Sequence, residues 1–119
     1  MKQKEITLCG KQVMVAYCFA TEIAFKKFTG VNLDEFDATN PEHIIYIILS
    51  AIASYYQTTH EEAPVKDEDL MYEAKPKEML DALNEVMKLR ADWYQLPKGD
   101  TIDEQKPDPD RKRRKPKNA

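Results

Sequence analysis

A chain of 119 residues has room for one domain built on a modest core. With 42% hydrophobic and 33% charged residues, most of it is expected to fold while part stays solvated. A formal net charge of −3 excludes binding to polyanions through overall charge, although the charge is uneven: residues 98–119 carry eight Lys/Arg against five Asp/Glu, leaving +3 there and −6 on residues 1–97.

Residues 4–8 and 13–18 alternate as half-buried strands do, with Ile6 and Leu8 in the first and Val13, Val15 and Tyr17 in the second. Gly10-Lys11 between them fits a type II′ hairpin turn, which sets Leu8 opposite Val13 and Ile6 opposite Val15. The cysteines, Cys9 beside the turn and Cys18 near the far end of the second strand, then lie on the order of 20 Å apart and are expected to stay thiols. A two-stranded ribbon is barely stable alone, so its apolar face requires helices to pack on.

Thr21 is placed to cap a short helix that ends before Gly30, itself suited to a left-handed C-cap. Ala20, Ile23, Ala24, Phe25 and Phe28 form its apolar stripe, with Glu22, Lys26 and Lys27 in water. Leu33 and Phe36 are expected to anchor the next connection to the core. Asn40-Pro41 is a strong helix start, a good N-cap followed by proline at the first helical position. From 44 to 56 there is almost no polar face, as in a helix touched on several sides. A short helix is expected over 67–74 with Leu70, Met71 and Tyr72 inward. A clearer one runs from Pro76 to about Tyr94, with Met79, Leu80, Leu83, Val86, Met87 and Tyr94 on its buried side, ended by Pro97 and Gly99. The predicted class is therefore α+β over residues 1–97, an N-terminal β-hairpin packed on three to four helices. A disordered, charged C-terminal tail is expected over 98–119, where one branched aliphatic residue stands among three prolines.

The 44–56 run is shorter than the roughly 18–20 residues that cross a bilayer. The lysines of the N-terminal MKQKEITLCG lead into no apolar signal segment. The expected location is cytoplasmic, with no membrane partner. His43 and His60, in the first turn and near the end of one helix, are too far apart to share a metal, and His60-Glu61-Glu62 lacks the second histidine of a zinc-binding HExxH helix. Asp34, Glu35, Asp37 and Asp67, Glu68, Asp69 fall near helix starts, where negative charge complements the macrodipole. No nucleophile elbow and no glycine-rich phosphate loop is present. No enzyme activity, metal or cofactor is expected.

The run ITLCGKQVMVAYCFATEIAFKKFTGVNLDEF resembles the start of the tail assembly chaperones of long-tailed bacteriophages and their prophage relatives. In that family a glycine-turn hairpin leads into a helix ending in a (F/L)TG motif, then an apolar helix, amphipathic helices and a charged C-terminus. Gly10 matches the turn; Ala24, Phe28, Thr29 and Gly30 match the helix-ending motif; residues 44–56 match the apolar helix. The resemblance implies a non-enzymatic protein that binds and solubilises a long helical tape measure protein until tail tube subunits polymerise around it in the host cell. A homo-oligomer is a further partner it allows.

Two readings follow from different classes. In the first, surplus apolar helix surface binds the partner: the exposed members of Ile45, Ile48, Ile52, Tyr55 and Tyr56, with Trp93 and Tyr94 as anchors near the tail junction. In the second, a small nucleic-acid-binding or regulatory protein uses the basic run Arg111, Lys112, Arg113, Arg114 and Lys115. The absence of interleaved aromatic residues in that run disfavours nucleic acid.

Overall fold

The structure, a computed structural model, describes residues 2–95. Strand β1 (Gln3–Leu8) pairs antiparallel with β2 (Lys11–Ala16) through a two-residue turn. The turn residues are Cys9 and Gly10, at φ 54° and 76°. Two successive positive φ values mark a type I′ turn, whose twist suits a hairpin. This corrects the expected Gly10-Lys11 turn: Leu8 faces Lys11, Ile6 faces Val13 and Lys4 faces Val15. The pairing is displaced by two residues, and strand side chains change face with period two. Ile6, Leu8, Val13 and Val15 therefore still share one face, and all four are buried.

Helix α1 (Phe19–Thr29) starts one turn earlier than expected, with Cys18 as its N-cap. Thr21 is the third helical residue, and its hydroxyl accepts a hydrogen bond from the Cys18 N–H at 3.1 Å. That is the back-reaching half of a capping box, usually made by Glu or Gln. Gly30 closes the helix at φ 83°, its N–H donating to the Lys26 carbonyl, in agreement with the sequence. The predicted apolar stripe is only partly covered. Phe25 is buried beside Thr21, whereas Ile23 and Phe28 are exposed and Glu22 is half-buried. Leu33 and Phe36, flanking a 3-10 turn at Leu33–Glu35, pack on the core as expected.

Helix α2 (Pro41–Thr59) is central, touching α1, β2, α4 (Pro76–Tyr94) and the short α3 (Asp67–Tyr72). The Asn40 side chain caps it by accepting from the Glu42 N–H at 2.9 Å. Its buried serines do not break the apolar surface. Ser50 donates to the Tyr46 carbonyl at 2.6 Å and Ser54 to the Ser50 carbonyl at 2.8 Å, so both are satisfied largely within the helix. In α3 only Leu70 is buried; Met71 and Tyr72, predicted inward, face out on a helix too short to present more than one covered position. Along α4 the buried residues Met79, Ala82, Leu83, Val86 and Leu89 follow a 3.6-residue series, with Ala91 buried outside it. Leu80, predicted inside, lies one step off that series and is exposed, as is Tyr94; Met87 is half-buried.

The hairpin's apolar face thus lies over α2 and α4, with α1 against α2. This is the α+β arrangement of a hairpin on helices, with four α-helices among the described residues. Gln95, at φ 58°, ends α4 ahead of the expected terminators. Pro97, Gly99, the 97/98 boundary and the expected disorder of 98–119 fall outside the described residues. Among the described residues, no helix is long and apolar enough to cross a membrane.

Candidate functional site

Among the described residues, one face of α1 has no helix laid over it. Phe19 and Ile23, four residues apart and on the same ridge, are 60% and 58% exposed; Phe28, on the other side of the helix, stacks on Tyr46 of α2 with centroids 4.9 Å apart. Each ridge side chain would contribute about 1.5–3 kcal/mol if fully buried, so an 11-residue helix leaves much of its potential stabilisation unused. The last turn of α4 stands beside this ridge. The Trp93 ring meets Phe19 edge-on with centroids 5.4 Å apart, and Tyr94 is 41% exposed. Between the two helices lies an open groove of about 910 Å³. Phe19, Ile23, Leu33 and Tyr94 form its apolar lining.

Polar groups are concentrated at its base and rim. The hydroxyls of Tyr17 and Tyr94 both donate to Glu22 Oε2, the first at 2.7 Å, which ties α1 to the end of α4. Burial, then the hydrogen bond to Glu22, pushes the Tyr17 phenol well above its ordinary value; for Tyr94 the Glu22 bond is the main cause of a rise. Lys26, Lys27 and Arg90 bring positive charge to the lining; Asp34 joins Glu22 as the negative side. Arg90 lies 5.2 Å over the Tyr94 ring. Its Nε is buried with no hydrogen-bond acceptor among the described residues.

The sequence-predicted contact residues divide sharply. Ile48 and Ile52 are buried in the core and present no surface, a correction to their candidacy; α2 has neighbours on enough sides to cover them. Ile45, Tyr55 and Tyr56 are half-buried, and the Tyr56 hydroxyl accepts from the Met14 N–H at 3.1 Å, a structural duty. Trp93 is half-buried against Phe19, and Tyr94 reaches the groove. The run from Arg111 to Lys115 lies outside the described residues. The groove's own ridge, Phe19 with Ile23, and its Arg90 were not among the predicted contacts. The available signal was the width of the α1 stripe: Ala20, Ile23, Ala24, Phe25 and Phe28 span more of the helix than one neighbour can cover.

The remaining candidates for chemistry have structural roles. His43 Nδ1 accepts from the Asp37 N–H at 3.0 Å, and His60 is the left-handed C-cap of α2. Among the described residues, no three His, Cys, Asp or Glu side chains gather as a metal site. Both cysteines are free thiols. Burial, then the nearby Glu78 carboxylate, raises the Cys9 pKa, the opposite of what a nucleophilic thiolate needs. Of the expected helix-start acids, Asp67, Glu68 and Asp69 occupy the first turn of α3 and Asp34 and Glu35 the 3-10 turn. Asp37 instead accepts from the Thr39 hydroxyl and N–H, which holds its carboxyl below the usual range. What the site offers is an apolar ridge and groove with positive charge around them, suited to holding another polypeptide. No family model, no curated protein and no solved structure matches the chain.

Proposed function

We propose that this protein is a non-enzymatic tail assembly chaperone of a long-tailed phage or prophage, acting in the cytoplasm of the bacterial host to bind and solubilise a long helical tape measure protein. The observation that carries the reading is the exposed ridge of α1, Phe19 and Ile23, on a helix otherwise packed against the core. Exposed apolar surface of this kind marks partner sites. A second helix laid along a helical ridge is a common recognition mode. The resemblance of residues 6–36 to the chaperone family supports the same reading from the sequence side.

The test is co-expression of the full chain with a long, aggregation-prone helical polypeptide of the tape measure type, scoring the fraction that stays soluble. The wild-type chain is expected to keep it in solution, and the full-length double variant Phe19→Glu/Ile23→Glu, at exposed positions, to lose that ability while staying folded. Equal protection by both would remove the α1 ridge from the mechanism. Loss of protection only on neutralising Arg111 to Lys115, together with salt-sensitive polyanion binding by the intact chain, would favour the nucleic-acid reading instead.

A further inference from the structure

The groove beside the ridge carries a charge that the rest of the molecule does not. Residues 1–97 sum to −6, yet three of their ten cations line this groove. Among the described residues, the ion pairs are Lys77 with Asp81 and Lys88 with Glu85; Lys26, Lys27 and Arg90 make none. Of the two carboxylates in the lining, Glu22 is held by two tyrosine hydroxyls, leaving Asp34 on the 3-10 turn. The lining is therefore net positive by one charge on a negative body.

Arg90 sharpens the point. It makes no ion pair among the described residues, and its guanidinium is a planar fork that matches a carboxylate with two parallel hydrogen bonds. Nothing in the described structure supplies that carboxylate. Its placement beside an apolar ridge calls for a ligand that brings both an apolar face and an acid.

We propose that the α1/α4 groove selects an acidic amphipathic helix: a partner segment whose apolar stripe lies on Phe19 and Ile23 and whose flanking Asp or Glu meets Arg90 and the Lys26/Lys27 pair. A helix fits because α1 is about 16 Å long and its two exposed anchors, four residues and about 6 Å apart on the same face, match the i, i+4 spacing of a partner helix. This names the client chemistry and rests on the chaperone reading in one respect only, that the ridge takes a helical partner. The overall charge of the chain, −3, points the other way: non-specific attraction would draw in a basic helix. A preference for acid can then arise only from the groove's cations or from the basic run at 111–115, and the tail substitutions below separate the two.

The experiment uses the full chain and three synthetic helical peptides sharing one length. Two have the same apolar stripe, flanked by Glu in one and Lys in the other; the third keeps the Glu flanks and replaces the stripe with Gln. Binding is read by calorimetry at low and high salt. The Glu-flanked amphipathic peptide is expected to bind about tenfold tighter than the Lys-flanked one, as three local ion pairs would give. That preference should shrink at 1 M salt, where the Debye length is about 3 Å. Lys26→Glu/Lys27→Glu, at exposed positions that leave the fold intact, should reverse the preference, and Arg90→Lys should weaken it while keeping the charge. Replacing Arg111 to Lys115 by Ser in the full chain should leave it standing. Tighter or equal binding of the Lys-flanked peptide overturns the inference while leaving the solubility assay free to support the chaperone reading. Loss of the preference with the tail substitutions, or equal binding of the stripe-less peptide, overturns it as well.

Discussion

The Thr21 hydroxyl lies 2.6 Å from that of Ser54, both buried, joining the first turn of α1 to the middle of α2. Each hydroxyl also reaches a backbone carbonyl of its own: Ser54 that of Ser50 at 2.8 Å and Thr21 that of Ala16 at 3.4 Å, so either can donate across the contact. The Thr21 oxygen in addition accepts from the Cys18 N–H. One threonine thus closes the helix start and fastens it to the central helix. Thr21→Val keeps the shape but strands the Cys18 N–H and removes one of the two hydroxyls that form the contact. The expected cost is about 1–3 kcal/mol, with Ser54→Ala near 1 kcal/mol. The pair should show a coupling energy of about 0.5 kcal/mol or more in a double-mutant cycle followed by urea unfolding. Additive losses would mean that the two hydroxyls act separately.

The hairpin turn offers a backbone-only prediction. Gly10 sits at φ 76°, and a Cβ added there meets nothing within 4 Å. Gly10→Ala should therefore cost about 1–2 kcal/mol through the left-handed conformation alone, while Gly10→Asn, which tolerates that region, should cost clearly less. Matching losses in thermal unfolding for the two variants would show that something other than φ is being read.

These two sites show where the sequence was legible and where it was not. Period-two alternation identified the buried face of the hairpin because Ile6, Leu8, Val13 and Val15 keep that face under any even displacement. It could not tell a Cys9-Gly10 turn from a Gly10-Lys11 turn, since both are two residues long and contain glycine. Caps written in local chemistry were readable: Asn40-Pro41 and Gly30 are where the sequence put them. Thr21 was read as the N-cap itself, whereas it closes the cap from the third helical position and also meets Ser54, 33 residues away, which no local pattern shows. The same holds for the candidate site. Tyr94 stood out as an aromatic residue near a helix end, but the exposure of Ile23 and the covering of Ile48 depend on which helix lies against which. An apolar residue carries the same periodic signal whether its neighbour is present or absent.

The exchange of Ile48 for Ile23 as the surface residue can be measured. Ile48→Ala removes a fully buried side chain and should lower stability by about 2–5 kcal/mol. Ile23→Ala, mostly in water, should change stability by no more than about 0.5 kcal/mol. Partner holding should respond in the opposite order, weakened by Ile23→Ala and unaffected by Ile48→Ala at temperatures where that variant stays folded. An Ile48 variant that is stable but unable to hold a helical client would return α2 to the list of contact surfaces.

The tyrosine pair on Glu22 gives the molecule a weak flank at high pH. Tyr17 is 1% exposed, and both burial and the Glu22 carboxylate oppose its ionisation, so its folded pKa lies above the ordinary value near 10. A raised pKa means that the folded state holds the proton more tightly than the unfolded chain. The resulting stabilisation is complete below about pH 10 and drains away as pH rises from there toward the folded value. Stability should accordingly be flat through neutral pH as far as Tyr17 is concerned and fall steeply above about pH 10. In Tyr17→Phe that alkaline slope should flatten, because a phenyl ring has no proton to lose. The same variant should cost about 1.5–3 kcal/mol at pH 7, the worth of a hydrogen bond to a charged acceptor. Tyr94→Phe, at an exposed ring, should alter the slope much less. Urea midpoints taken between pH 7 and 11 separate the cases, and an unchanged alkaline slope in Tyr17→Phe would assign the weakness to another group.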